Sequence, residues 1–318
     1  TGKPVWKHAY KTDYSDMYSR GDGPRATPTV AGGRVFTLGP GGVLTCLALK
    51  DGERKWSKDI VAAYDVKKAY FGVGASPLVV GKRLLVNVGG EGAGVVAFDA
   101  ETGKEQWKAT DQQASYATPV HAELAGKKQA VFFTRLGLLT LDDEGKVIHS
   151  KRWRPRIDAS VNAASPVLLP DGHVFLSTSY RTGAILLKAT KDGLEEVWKN
   201  DESLTCHFNT PVAVGDQLYG AHGRQEEGAE LRCIDWKTGK VRWKEEGFGC
   251  GSVLHADGKL WLMSEKGELI LAKPDADKFD VLSRAEALAG PVRAMPALAE
   301  GRLYCRDDKK LVCWKVAK

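Results

Sequence analysis

Ala75-Ser76-Pro77-Leu78-Val79-Val80-Gly81-Lys82-Arg83-Leu84-Leu85-Val86-Asn87-Val88, followed by Glu101-Thr102-Gly103-Lys104-Glu105-Gln106-Trp107, is one copy of a pattern that fills the chain. A small residue and Ser/Thr-Pro open the unit, and a glycine turn leads into a run of β-branched and aliphatic residues. A Thr-Gly-Lys turn then ends in tryptophan. The opening recurs at Ala26-Thr27-Pro28, Ala117-Thr118-Pro119, Ala164-Ser165-Pro166, Asn209-Thr210-Pro211 and Ala294-Met295-Pro296. Cys250-Gly251-Ser252 is a degenerate copy in register with Asp257-Gly258-Lys259-Leu260-Trp261. The period is about 45 residues, the range of propeller repeats.

Arg34-Val35-Phe36-Thr37-Leu38, His173-Val174-Phe175-Leu176 and Lys259-Leu260-Trp261-Leu262 read as second strands bounded by turns. A third strand of the form Gly-x-Leu-x-Cys/Ala-Leu/Phe-Asp follows, then the turn and fourth strand of Lys237-Thr238-Gly239-Lys240-Val241-Arg242-Trp243. Four strands per unit define a propeller blade. The expectation is an all-β, seven-bladed propeller of four-stranded antiparallel blades, a single domain over residues 1–318 with openings near 28, 77, 119, 166, 211, 252 and 296. The last unit offers only three strands, and Thr1-Gly2-Lys3-Pro4-Val5-Trp6 reads as the missing turn and fourth strand. Residues 1–10 are therefore expected to complete the last blade and close the ring, leaving no open edge.

Trp6, Trp56, Trp107, Trp198 and Trp243 are expected to cover the gap between neighbouring blades, each indole N–H meeting a carbonyl. His149 takes that place in the third unit and Phe279 in the sixth.

These phrases resemble the pyrroloquinoline-quinone-type, or tryptophan-docking, propeller repeat. It occurs in quinoprotein alcohol dehydrogenases and in the lipoprotein of the outer-membrane barrel assembly machinery. Gly23-Pro24-Arg25-Ala26-Thr27-Pro28 and Glu230-Leu231-Arg232-Cys233-Ile234-Asp235 are most similar to stand-alone exported propellers of planctomycete-like bacteria. The resemblance implies an exported, periplasmic protein. It also implies one of two functions. The first is a non-catalytic propeller, without cofactor, that binds a protein or polymer such as a polysaccharide through its long-loop face. The alternative is a quinoprotein-type dehydrogenase that oxidises an alcohol or sugar with pyrroloquinoline quinone and Ca²⁺. Against the alternative, the dehydrogenases have eight blades, a disulfide between adjacent cysteines and a metal site. This sequence has no Cys-Cys pair and no recognisable ligand set.

The 318 residues carry 46 Lys+Arg against 40 Asp+Glu, a net charge of +6, with opposite charges interleaved as in Lys50-Asp51-Gly52-Glu53-Arg54-Lys55. That pattern is a solvated surface and gives no support for nucleic-acid binding. No apolar run approaches the about 20 residues of a membrane span. A monomer is expected. The chain opens without Met or a charged-then-apolar leader, which fits a processed export signal or a domain of a longer chain.

In a propeller, the connection into each first strand crosses one face, so residues just before the openings should ring the channel mouth. They include Arg25, Tyr116, Asn162, His207, Asn209 and Arg293, a set suited to an anionic or polyhydroxylated ligand. The competing reading is that they satisfy backbone groups or channel waters. Two long connections, 7–24 and 57–74, carry Tyr14, Asp16, Tyr18, Arg20, Tyr64 and Tyr70, candidates for partner recognition. Cys46, Cys233 and Cys313 read as equivalent core thiols, while Cys206 and Cys250 fall near neighbouring first strands, where a disulfide, or a metal pair with His207, is open. No spacing specifies a metal site, and no hydrolase or phosphate-loop motif occurs.

Overall fold

The computed structural model describes residues 2–16, 22–67 and 70–316. It is a seven-bladed β-propeller, and the described residues are all-β apart from one short helix, Ile60–Ala63, and a single 3-10 turn, Pro170–Gly172. No helix among the described residues is long and apolar enough to cross a membrane. The blades span residues 29–59, 78–109, 120–152, 167–200, 212–245, 252–286 and 297–315. Each first strand begins at or just after the Pro or Ser that closes the opening phrase. The chain forms two compact units: Thr1–Arg154 with Val161–Pro166 holds the first three blades, and Pro155–Ser160 with Val167–Lys318 holds the other four.

Strand alternation builds the core. In the second blade, Leu84, Val86 and Val88 of Arg83–Gly90 and Val96 and Phe98 of Ala93–Asp99 pack against Phe36, Leu38 and Leu44 of the first blade. Their neighbours Leu85, Val95 and Ala97 face the other way, onto Phe132, Leu139 and Leu141 of the third. A middle strand buried on both faces must be apolar at nearly every position, which is why these segments read as continuous hydrophobic runs. The opening phrase has its own physical reason. Thr27 N–H donates to Ser76 Oγ at 2.9 Å, and Thr118 N–H to Ser165 Oγ at 3.1 Å, so in these two pairs the serine hydroxyl before the later proline ties one opening phrase to the next.

The turn phrases are Asx turns. Asp99 Oδ1 accepts from the Thr102 N–H and hydroxyl, both at 2.8 Å, and these bonds hold its carboxyl below the usual range. Asp235 and Asp275 receive turn amides in the same way. The glycine after each turn is needed twice over. Gly52, Gly103 and Gly145 have φ of 74°, 70° and 83°, and a Cβ on them would lie 2.6–2.7 Å from the rings of Trp6, Trp56 and Trp107. Each indole lies flat on the next turn, and its Nε1 donates to a carbonyl there: Trp6 to Leu49, Trp56 to Ala100, Trp107 to Asp143, Trp198 to Trp236 and Trp243 to Asp275, at 2.8–3.3 Å.

Register corrects the sixth unit. In all of the first six blades the ladder between third and fourth strands carries a bulge. The docking residue pairs with the residue just before it: Trp56 with Cys46, Trp107 with Ala97, His149 with Thr140, Trp198 with Leu186 and Trp243 with Cys233. In the sixth blade that position is Ser283, opposite Leu271, and not Phe279. Phe279 precedes the strand and turns back onto Trp243, with ring centroids 5.3 Å apart, thickening the surface on which the previous indole docks.

The seventh sheet holds three strands, and residues 2–10, expected to supply its fourth, carry no strand. Pro4 has no N–H for a ladder and Val5 is 86% exposed, so the segment lacks both the hydrogen bonds and the burial that fix a strand. Its contribution is the Trp6 dock, with Tyr10 packed over Gly39. The outer strand Leu311–Lys315 is accordingly open. Leu311 is 69% exposed, and Cys313, read from sequence as a core thiol, is exposed because no fourth strand or further blade of its unit covers it. Deleting residues 1–10 uncovers Gly39 and Gly52 and is expected to cost about 2 kcal/mol. A thermal melt should fall by about 5 °C. An unchanged melt would show that the N-terminal segment contributes nothing.

Candidate functional site

The two long connections of the first unit meet around one half-buried cation, Arg25. Arg25 Nη2 lies 3.3 Å from Asp16 Oδ1, whose side chain is fully buried, and the guanidinium lies over the rings of Tyr14 and Phe71 at 5.7 and 5.4 Å. Phe71 meets Tyr116 edge to face at 5.8 Å, and its N–H donates to Tyr116 Oη at 2.8 Å. Two glycines make room. At Gly72, φ 70°, a Cβ would strike the Pro40 carbonyl and come within 2.8 Å of the Tyr14 ring, and at Gly74 it would lie 2.7 Å from the Tyr116 ring. Burial pushes Tyr116 up to about 12, against the lowering effects of the Phe71 amide and of Arg25 and Arg135, so the phenol stays protonated. Gly74→Ala should push the Tyr116 ring off Phe71 and cost about 1–2 kcal/mol, read as a lower melting temperature and a shifted Tyr116 ring resonance; an unchanged melt would show that the glycine is not needed there.

Beside this cluster lies a cavity of about 660 Å³, lined by Tyr14, Tyr70 and Tyr116, by Lys67 and Arg135, and floored by Val66, Val73 and Val88. Arg135 and Gln113 were not singled out from the sequence. The available signal was a cation in the hairpin Thr134-Arg135-Leu136-Gly137, between the apolar runs Ala130-Val131-Phe132-Phe133 and Leu138-Leu139.

The remaining expected residues divide. Tyr64 is engaged: its hydroxyl donates to Glu105 Oε2 at 2.6 Å and its ring lies 6.3 Å from Phe98, burial and that bond together raising its pKa. Asn162 is buried, with Nδ2 donating to the Thr134 carbonyl at 2.9 Å and its backbone clamped by Ser115 Oγ, so its amide staples the third blade's entry. Tyr18 and Arg20 lie outside the described residues.

In the second unit, His207 Nε2 is 2.9 Å from Tyr180 Oη, and Arg224 stacks on the Tyr180 ring at 4.6 Å. Asn209 Nδ2 donates to the carbonyls of Cys250 and Gly251. The Cys250 N–H donates to Glu265 at 3.2 Å, and Arg293 lies 3.9 Å from Glu265. Arg25, Tyr116 and Asn162 thus share one unit, and His207, Asn209 and Arg293 the other. All six cysteines are free, and burial pushes Cys206 and Cys250 up to about 12, keeping both as neutral thiols.

His222 accepts the Thr205 N–H at Nδ1, 3.1 Å away, and burial, with Arg232 next and Lys244 a smaller effect, pushes its pKa down to about 4 against the opposing charge of Glu230. A histidine neutral in the fold but free to protonate when unfolded gives stability that is complete above about 6.5 and lost as pH falls toward 4. Allowing for solvent screening, the loss is about 2 kcal/mol. His222→Asn should flatten the melting temperature across this window, and an unaltered slope would assign the effect elsewhere.

The quinone and calcium that the resemblance brings with it can be tested against the donors. No group of three or more His, Cys, Asp or Glu among the described residues could hold a metal ion, and no two cysteines are adjacent in sequence. Among the described residues the side chains do not assemble the ligand set such a cofactor needs.

Known proteins place the chain. Over 114 residues it is 35% identical to the quinohemoprotein alcohol dehydrogenase ADH-IIG of Pseudomonas putida, covering 34% of this chain and 15% of that enzyme's length. The crystal structure of BamB from Moraxella catarrhalis superposes with a TM-score of 0.64 at 15% identity, over 89% of this chain and 79% of that one, which shows the fold. The quinohemoprotein alcohol dehydrogenase from Comamonas testosteroni matches with a TM-score of 0.41 at 14% identity, over 88% of this chain and 62% of that one. The family profile described as "Outer membrane protein assembly factor BamB" matches residues 1–245, and the chain belongs to that family of PQQ-type propellers.

Proposed function

We propose that this chain is a non-catalytic, exported propeller that binds a protein partner through the loop face built by residues 7–24 and 57–74. The observation that carries this reading is the rigid surround of the cavity. Arg25 is locked between a buried carboxylate and two rings, and three tyrosines border a recess of about 660 Å³ beside it. Ordered tyrosines in a preformed recess give recognition at low entropic cost. Membership of the BamB family supports a protein partner over a polysaccharide, and a periplasmic setting. The seven sheets are read as one propeller domain over residues 1–318, working as a monomer without cofactor.

Two measurements test it. Mixing the purified chain with pyrroloquinoline quinone and Ca²⁺ should produce no new absorbance band, no shift in melting temperature and no alcohol-dependent dye reduction; any of these would favour the dehydrogenase. A pull-down from an outer-membrane fraction should recover a defined prey that is lost with Tyr14→Ala/Tyr70→Ala and kept with Val197→Ala, an exposed position of the other unit. Equal recovery by both variants would place the interface elsewhere.

A further inference from the structure

We propose that the open strand Leu311–Lys315 takes up an extended segment of a protein partner as the fourth strand of the seventh sheet, a segment with an acidic residue at each end and apolar residues between. This is a second recognition surface, within the second unit, and it does not depend on the loop face.

Register shows what the edge offers. The ladder between Arg302–Arg306 and Leu311–Lys315 runs without a bulge from the pair Arg302 and Lys315 to the pair Arg306 and Leu311. The bonds at its two ends are Val316 N–H to the Gly301 carbonyl at 2.9 Å and Asp307 N–H to the Lys310 carbonyl at 3.1 Å. Bonded and non-bonded pairs alternate along an antiparallel ladder, so Val312 and Trp314 turn their backbone groups inward. Leu311, Cys313 and Lys315 therefore aim theirs outward, where no strand among the described residues meets them. In the other blades the equivalent position is taken: Cys46 faces Trp56 and Cys233 faces Trp243 across the outer ladder. The side chains are equally uncovered. Leu311 is 69% exposed, Trp314 46%, and Tyr304, which pairs with Cys313, 37%. An open edge carrying large apolar residues is a template for one more strand.

Charge names the occupant. The edge reads Lys310-Leu311-Val312-Cys313-Trp314-Lys315, four residues of apolar character between two cations. A strand laid antiparallel along it puts its first and sixth residues opposite Lys315 and Lys310, where acids are favoured. Its second to fifth residues meet Trp314, Cys313, Val312 and Leu311, where apolar side chains are favoured. A second copy of the chain fits poorly. The hairpin carries Arg302, Arg306, Lys309, Lys310 and Lys315 against Asp307 and Asp308, so two copies would set one cationic edge on another.

The probe is the fluorescein-labelled peptide Ser-Glu-Val-Phe-Val-Val-Glu-Ser, titrated with the full chain and read by anisotropy. It should bind saturably. N-methylation of its phenylalanine, whose N–H meets the Cys313 carbonyl in this register, should weaken binding about tenfold. N-methylation of the valine that follows, whose N–H points away, should leave binding unchanged. That contrast reports an added strand and not mere contact. Lys310→Glu/Lys315→Glu, at two exposed positions, should keep the parent's melting temperature and bind the probe about tenfold more weakly. The same variant should regain the affinity with a peptide carrying lysine in place of both glutamates. Lysines on an edge can also guard it against pairing, so no binding at all would give them that role and overturn the proposal. Binding indifferent to the position of the N-methyl group would overturn it too. So would a dimer in sedimentation that the peptide dissociates, which would give the edge to a second copy. Tyr14→Ala/Tyr70→Ala should bind the peptide as the parent chain does, so the loop-face reading and this one fall separately.

Discussion

Trp198→Ala is expected to lower the stability of the chain by about 3 kcal/mol, the scale of truncating a large aromatic at a packed interface. The indole sits opposite Leu186, just before the bulge in its ladder, packs against Phe175 at 6.0 Å and reaches across to the fifth blade. There its Nε1 donates to the Trp236 carbonyl at 2.8 Å, and its ring lies 3.1 Å from where a Cβ on Gly239 would be. Truncation removes the contacts of both blades and leaves a carbonyl unpaired. Trp198→Phe keeps most of the surface and should cost about 1 kcal/mol, the hydrogen bond alone. Urea unfolding followed by circular dichroism separates the two. A loss below about 0.5 kcal/mol for the alanine variant would mean that the phrase ending in tryptophan is a by-product of the repeat and not its fastener.

Arg25→Ala should be as damaging, about 3 kcal/mol, for an electrostatic reason. It removes the guanidinium 3.3 Å from the fully buried Asp16 carboxylate and strips the Tyr14 and Phe71 rings of the cation they face. Arg25→Lys should recover only part of this, since an ammonium cannot lie flat on two rings while pairing with a carboxylate. The decisive comparison is the double substitution Arg25→Met/Asp16→Asn, which removes both charges and should be more stable than Arg25→Ala alone. Melting temperatures of the parent chain, Arg25→Met, Asp16→Asn and the double variant give the coupling. Strict additivity would show that Arg25 and Asp16 do not act as a pair.

Much of the fold was legible because each phrase has a local cause. Ser-Pro supplies the hydroxyl that ties opening phrases together in two pairs, Asp-x-Thr-Gly is an Asx turn with a required left-handed glycine, and apolar residues fill strands buried on both faces. The reading went astray where neighbours outside the local phrase act. Phe279 has the right chemistry for a docking residue, but the bulge register gives that position to Ser283. Cys313 repeats Cys46 and Cys233 in sequence, yet it is exposed because its strand is the outermost of a three-stranded sheet. Asn162 and Asn209 stand at the expected entry points, and their amide N–H groups donate to backbone carbonyls, as the competing reading of these positions had it.

The site shows the same division. The tyrosines of the long connections were the sequence's reason to expect a recognition surface there, since loops of unusual length tend to be functional. Which of them face a ligand could not be read along the chain. Tyr64 bonds to Glu105, 41 positions away, Tyr116 holds the Phe71 amide, 45 away, and Arg135 enters the cavity from a hairpin of another blade. What the amino-acid order settled by itself was the repeating blade, because turns, strands and docking contacts are set by residues within one period. The choice between a side chain that serves the scaffold and one that serves a ligand was made only by tertiary packing, because it depends on which donors and acceptors find partners once distant segments are side by side.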